Sequence, residues 1–156
     1  MCQSRLVTRI ATHLIDANRR ILLDLSKLES GNMKLQVAKG DIVSFLRAMV
    51  FSFESLAERR QIHFQTEFPE RGEEAYFDRD KLEKILVNLL SNAFKYTPER
   101  GRVSVKTAIE NGRLKVSVED SGPGISQKDL DKVFERFYQI EGTEDKGTGI
   151  GLSLVK

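Results

Sequence analysis

The chain of 156 residues is long enough for one domain with a hydrophobic core and a short appendage. Charged residues make up 31% and hydrophobic residues 40%, an ordinary globular composition, and a net charge of +2 argues against a nucleic-acid surface. No apolar run approaches the roughly 18 residues of a membrane-crossing helix. The opening residues do not read as a basic-then-apolar leader, and the single cysteine, Cys2, excludes an internal disulfide or a thiolate zinc cluster. These features suit a cytosolic segment, and a soluble part of a membrane protein would share them.

In chain order, Leu14, Ala17, Ile21, Leu25 and Leu28 recur at three- and four-residue steps, so Leu6 to Leu28 reads as one helix, stopped by Ser30-Gly31-Asn32. A short strand is expected at Met33 to Ala38, then a turn at Lys39-Gly40. Asp41 caps a second helix whose buried face is Ile42, Phe45, Leu46, Met49, Phe53 and Leu56. Ile62, Phe64 and Phe68 alternate as in a strand, a polar loop spans Glu70 to Glu74, and Tyr76-Phe77 forms a short strand. A third helix runs from about Arg79 to Lys95 on the apolar face Leu82, Ile85, Leu86, Leu89, Leu90 and Ala93. Two alternating runs, Val103 to Thr107 and Leu114 to Val118, flank Asn111-Gly112, a strong hairpin signal. A Gly/Pro loop leads to a helix near Gln127 to Phe134, and Gly147 to Gly151 opens a last helix. Helices and strands alternate without the regular order of a parallel sheet, which favours an α+β fold, a mixed sheet with helices on one face.

Three segments carry candidate chemistry. In NLLSNAFKYTP, Asn88, Asn92 and Lys95 are spaced four and three residues apart and share one helix face. Amide carbonyls are hard oxygen ligands for magnesium, and an ammonium offers a point charge to phosphate; a solvated helix face is the alternative for this triple alone. In EDSGPGI, Asp120 ends a strand and can accept from an exocyclic amine, while Gly122 and Gly124 let the backbone approach a flat ligand; an exposed strand-to-helix turn is the alternative. GTGIG, at a helix start, supplies N–H groups to phosphates, although its spacing is not a dinucleotide fingerprint.

Taken together and in order, the three segments resemble the asparagine box and the two glycine boxes of sensor histidine kinases of two-component systems. FERFYQ, Phe134 to Gln139, looks like the phenylalanine box between them, and the third helix opens with DRDKLEKIL as such domains do. LLDLSKLESGNMKL resembles the end of the dimerisation helix and its linker. The resemblance implies a Bergerat-type two-layer α/β sandwich. Residues 1–31 would be the C-terminal part of a helical dimerisation region, 32–40 a linker strand, and 41–156 a catalytic ATP-binding domain truncated at its C-terminus.

The implied cofactors are ATP and Mg2+. Asn92 matches the magnesium asparagine, Asn88 a contributor to the same site, Lys95 a phosphate contact and Tyr96 a pocket-lining residue. Asp120 matches the adenine-reading carboxylate, with Gly122, Gly124 and Ile125 in the loop beneath the base. Gly147, Thr148, Gly149, Gly151 and Leu152 match the phosphate end of a lid, and Phe134 and Phe137 its anchors. Asn88 and Lys95 are the expected catalytic pair. An amide cannot act as a general base, so slow hydrolysis is expected. Where many relatives carry an arginine this chain has Gln139, which leaves Arg136 or a residue outside the domain to neutralise phosphate charge. Neither His13 nor His63 sits in a phosphoacceptor motif, so the acceptor is expected upstream of Met1. The implied partners are a second subunit, through the N-terminal helix, and a response-regulator receiver domain. The parent protein is expected to be anchored in the inner membrane.

Overall fold

A computed structural model describes residues 34–140 and 151–155. The expected first helix and the lid residues Gly147, Thr148 and Gly149 lie outside the described residues. The described residues belong to two units: residues 36–130 with 155, and residues 34–35, 131–140 and 151–154.

The larger unit runs β1 (Ala38–Asp41), α1 (Ile42–Phe51), α2 (Glu54–Arg59), β2 (His63–Glu67), β3 (Glu74–Phe77), α3 (Arg79–Tyr96), β4 (Arg102–Glu110), β5 (Arg113–Asp120) and α4 (Gln127–Leu130). It is the mixed α+β arrangement expected from the sequence. β2 pairs parallel with β4, β4 pairs antiparallel with β5, and β1 and β3 form a separate antiparallel pair. The Asn111-Gly112 hairpin joins β4 to β5, with both turn residues at positive φ, 52° and 71°. This is the geometry whose twist matches that of the flanking strands.

Strand periodicity decides which side chains meet the helices. Val103, Val105 and Thr107 of β4 are buried, whereas Arg102 and Lys106 on the other face are exposed. Their partners across the ladder are Asp120, Val118 and Val116. Asp120 therefore stands on the same face of β5 as the core valines. Against that face pack α1 and α3, through Leu46, Leu86, Leu90, Val50 and Phe94. Phe94 is fully buried, with Phe53 stacked on it at 5.7 Å and Phe64 edge-on at 5.1 Å between ring centroids.

Two carboxylates set the helix starts. Asp41 caps α1 by accepting from Val43 N at 3.0 Å and Ser44 N at 3.1 Å, and it also accepts from Glu73 N at 3.2 Å. Asp78 caps α3 by accepting from Lys81 N at 3.1 Å, and its second oxygen accepts from Gln36 N at 2.8 Å.

Three sequence expectations need correction. The first strand is Ala38–Asp41, not Met33 to Ala38, and Lys39-Gly40 lies within it. Gly40 serves close approach here, not a turn: a Cβ there would stand 2.9 Å from the Arg79 guanidinium and 3.5 Å from the Phe77 ring. The second helix is broken into α1 and α2 at Ser52-Phe53, where the Ser52 hydroxyl donates to Met49 O at 2.6 Å and Phe53 turns onto Phe94. The helix expected to reach Phe134 is only the single turn Gln127–Leu130.

Candidate functional site

The site is built at the carboxyl end of α3. Its buried positions, Leu86, Leu90, Ala93 and Phe94, face the core. Asn88, Asn92 and Lys95 fall about 180° around the helix from the centre of these positions. They form one half-buried polar face running back about 10 Å from Lys95 to Asn88. Thr97 ends the helix, its backbone N–H and its hydroxyl both donating to Ala93 O, at 3.1 and 2.6 Å. The Lys95 ammonium lies 5.2 Å from the centre of the Tyr96 ring.

The loop after β5 meets this helix end. Ser121 prolongs the β4 pairing, accepting from Arg102 N at its hydroxyl (2.8 Å) and donating its own N–H to Arg102 O (2.9 Å). One Asp120 oxygen, Oδ1, accepts from Gly122 N at 2.8 Å, which folds the loop back on the carboxylate. No partner to Oδ2 is present among the described residues. Gly122 presses on the Tyr96 carbonyl, and Gly124 takes a left-handed φ of 73°.

Between helix end and loop lies an open cleft of about 520 Å³. Arg60, Lys95, Tyr96, Thr97 and Pro98 line one side, and Ser121, Gly122 and Pro123 the other. Of the residues singled out in the sequence, the cleft gathers Lys95, Tyr96 and Gly122, and Asp120 is tied to it through Gly122. Asn88 and Asn92 lie on the same helix face, farther back, and do not line the cleft. Gly124 and Ile125 follow in the loop, both exposed. Phe134, Phe137, Gly151 and Leu152 belong to the smaller unit. There Phe134 and Phe137 are exposed, Phe137 takes a φ of 63°, and Leu152 opens a short 3-10 turn. His63 is an exposed strand residue on β2.

Sequence reasoning gave no role to Arg60, Thr97, Pro98, Ser121 or Pro123. The last four lie inside the two motifs it singled out, NLLSNAFKYTP and EDSGPGI, so treating each motif as a whole would have found them. Nothing local marks Arg60, which arrives from the end of α2.

The family profile described as histidine kinase-, DNA gyrase B- and HSP90-like ATPase matches residues 77–156. The chain belongs to this ATPase family. It is 38% identical over 152 residues to histidine kinase P4 of Formosa agariphila, an alignment covering 94% of this chain and 11% of that protein. The chain thus spans about a tenth of that relative's length. Among solved structures, the catalytic domain of histidine kinase ThkA superposes with a TM-score of 0.67 at 28% identity, covering 76% of each chain. Full-length ShkA in complex with AMPPNP superposes with a TM-score of 0.74 at 28% identity, covering 92% of this chain and 30% of that one. The fold is therefore that of histidine kinase catalytic domains, and the family's ATP-binding character extends to this chain. Among the described residues no helix is long and apolar enough to cross a membrane.

Proposed function

We propose that this chain is the ATP-binding part of a sensor histidine kinase, which binds ATP with magnesium and donates the γ-phosphate to a histidine on a dimerisation helix. The observation that carries the reading is the placement of Asp120. Strand alternation turns its carboxylate to the helix-facing side, and the Asp120–Gly122 turn brings it beside the helix end that bears Lys95 and Tyr96.

The residues fit the ligand. Asp120 Oδ2 is an acceptor for the exocyclic amine of adenine. The loop beneath runs on backbone alone, because a Cβ at residue 122 would meet Tyr96 O at 2.8 Å. Lys95 offers charge to phosphate oxygens, and Asn92, helped by Asn88, offers amide oxygen to magnesium, an ion that takes few protein ligands alongside substrate phosphates and water. When bound, the magnesium would neutralise phosphate charge. Asn88 is no general base, so the site holds ATP for transfer better than it activates water. By the resemblance, Gly147, Thr148, Gly149, Gly151 and Leu152 would contact phosphate, Phe134 and Phe137 would anchor that segment, and Ile125 would contact the base.

Residues 1–31 would pair with a second subunit to form a helical bundle. A response-regulator receiver domain would then take the phosphoryl group from the histidine. The chain would be a cytoplasmic segment of a protein anchored in the inner membrane.

Titration calorimetry with AMPPNP tests the reading. Binding is expected to strengthen with magnesium in the unaltered chain and to lose that dependence in Asn92→Ala. Equal affinity with and without magnesium in both proteins would overturn the role of Asn92. Asp120→Ala is expected to weaken adenosine binding, and unchanged affinity would show that the base is oriented otherwise.

A further inference from the structure

We infer that Arg60 is a positioning residue of the cleft: it bonds the Phe94 carbonyl and so fixes the last turn of α3, with Lys95 and Tyr96, against the loop after β5. The inference rests on the reading of this cleft as part of a nucleotide site. No part of the sequence resemblance assigns Arg60 a role.

The last four carbonyls of a helix lack intrahelical donors. Ala93 O is satisfied locally, by Thr97. The next, Phe94 O, accepts a hydrogen bond from Arg60 Nη1, at the end of a different helix. A guanidinium bonded to a carbonyl at the negative end of a helix is a charge-assisted contact favoured by the helix dipole.

The backbone of Arg60 is held firmly enough to act as a fixed post. It caps the C-terminus of α2 just before a left-handed stop: Gln61 has a φ of 53°, Gln61 N donates to Glu58 O at 3.1 Å, and Ile62 N donates to Ala57 O at 2.9 Å. Ile62 and Ala57 are buried in the same cluster as Ala93 and Phe94. The apolar contacts thus fix the distance from α2 to α3, and the Arg60 side chain spans it.

What makes this more than a helix cap is where Arg60 stands: the residue lines the cleft together with Lys95, Tyr96 and Gly122. Gly122 already touches the Tyr96 carbonyl more closely than any other residue type allows. A small rotation of the last turn of α3 is therefore passed directly to the Asp120–Gly122 loop. Lysine is a poor substitute, because a single ammonium lacks the planar fork that bonds the carbonyl while facing the cleft.

The test is a double-mutant cycle on AMPPNP binding in the full chain, with Arg60→Met, Tyr96→Ala and both together. Arg60→Met is expected to weaken binding roughly five- to tenfold alone. It should cost less than about twofold once Tyr96 is alanine, because the two act through one path. Fluorotyrosine NMR without nucleotide adds a second readout: the Tyr96 resonance should move in Arg60→Met while that of Tyr76, on β3, stays in place. Should Arg60→Met not fold, the milder Arg60→Gln carries the same test, with a smaller loss expected. Full affinity in a folded Arg60 variant overturns the inference, as do additive losses in the cycle. Absence of nucleotide binding by the unaltered chain would instead overturn the nucleotide reading itself.

Discussion

Replacing Gly122 by alanine tests the site through one methyl group. Gly122 is not in the left-handed region, so alanine meets no backbone strain there and the effect is steric. The added Cβ would stand 2.7 Å from Asp120 Oδ1, 2.8 Å from Tyr96 O and 3.2 Å from the Tyr96 carbonyl carbon. Ordinary contact begins near 3.4 Å, so the loop and the helix end must separate by about 0.6 Å. The Tyr96 atoms are backbone at the end of an 18-residue helix and cannot rotate away, so the loop must give. Overpacking of this kind costs about 1–3 kcal/mol, and the shift carries Asp120 away from Lys95 and Tyr96. If half of that cost is expressed in binding, nucleotide affinity falls roughly two- to tenfold, at 1.4 kcal/mol per decade. Calorimetry with AMPPNP reads the affinity and urea unfolding reads the stability. Wild-type affinity in a folded Gly122→Ala protein would refute the reasoning. Gly124→Ala is the contrast: its Cβ meets nothing within 4 Å, but its φ of 73° imposes about 1–2 kcal/mol of left-handed strain.

Other outcomes follow from the packing and the caps. Thr107 is 3% exposed and its hydroxyl has no hydrogen-bond partner, so Thr107→Val should raise unfolding stability by about 1 kcal/mol in urea titrations. Phe94→Ala should cost about 3–5 kcal/mol, because it empties the space between Phe53, Phe64 and the sheet. Asp78→Ala should cost about 1 kcal/mol through loss of the α3 cap. The Gln36 N–H bond, acting against burial, holds the Asp78 carboxyl below its usual 3.8, and the Ser44 hydroxyl does most to lower Asp41. Both carboxylates have depressed folded values, so their stabilisation is fully present above about pH 4 and is lost as pH falls through the folded values. Urea midpoints measured from pH 6 to pH 2.5 should fall, and Asp78→Asn should flatten that slope.

Much of this fold was legible where one physical signal dominated. The apolar period of α3 located that helix, and Asn111-Gly112 located the hairpin, because each needs only local chemistry. Asp41 read correctly as a cap for the same reason. The breaks did not read. The α1–α2 interruption depends on Phe53 finding Phe94, far along the chain, and β1 is shifted because its glycine accommodates Arg79 and Phe77. Within the cleft, Asp120 ends its strand and Gly122 sits in the loop after it, as the sequence implied, because strand alternation and loop chemistry are local. Arg60 was invisible because its partner is a carbonyl, and carbonyls carry no sequence signal.

The helix end at Lys95–Tyr96 and the loop at Asp120–Gly124 are proposed to hold one nucleotide together, and an amide NMR titration with magnesium and AMPPNP tests this. The Tyr96, Gly122 and Gly124 amides should shift together along one saturation curve, while those of β1, such as Lys39, stay still. Shifts confined to one of the two segments, or none in either, would contradict it.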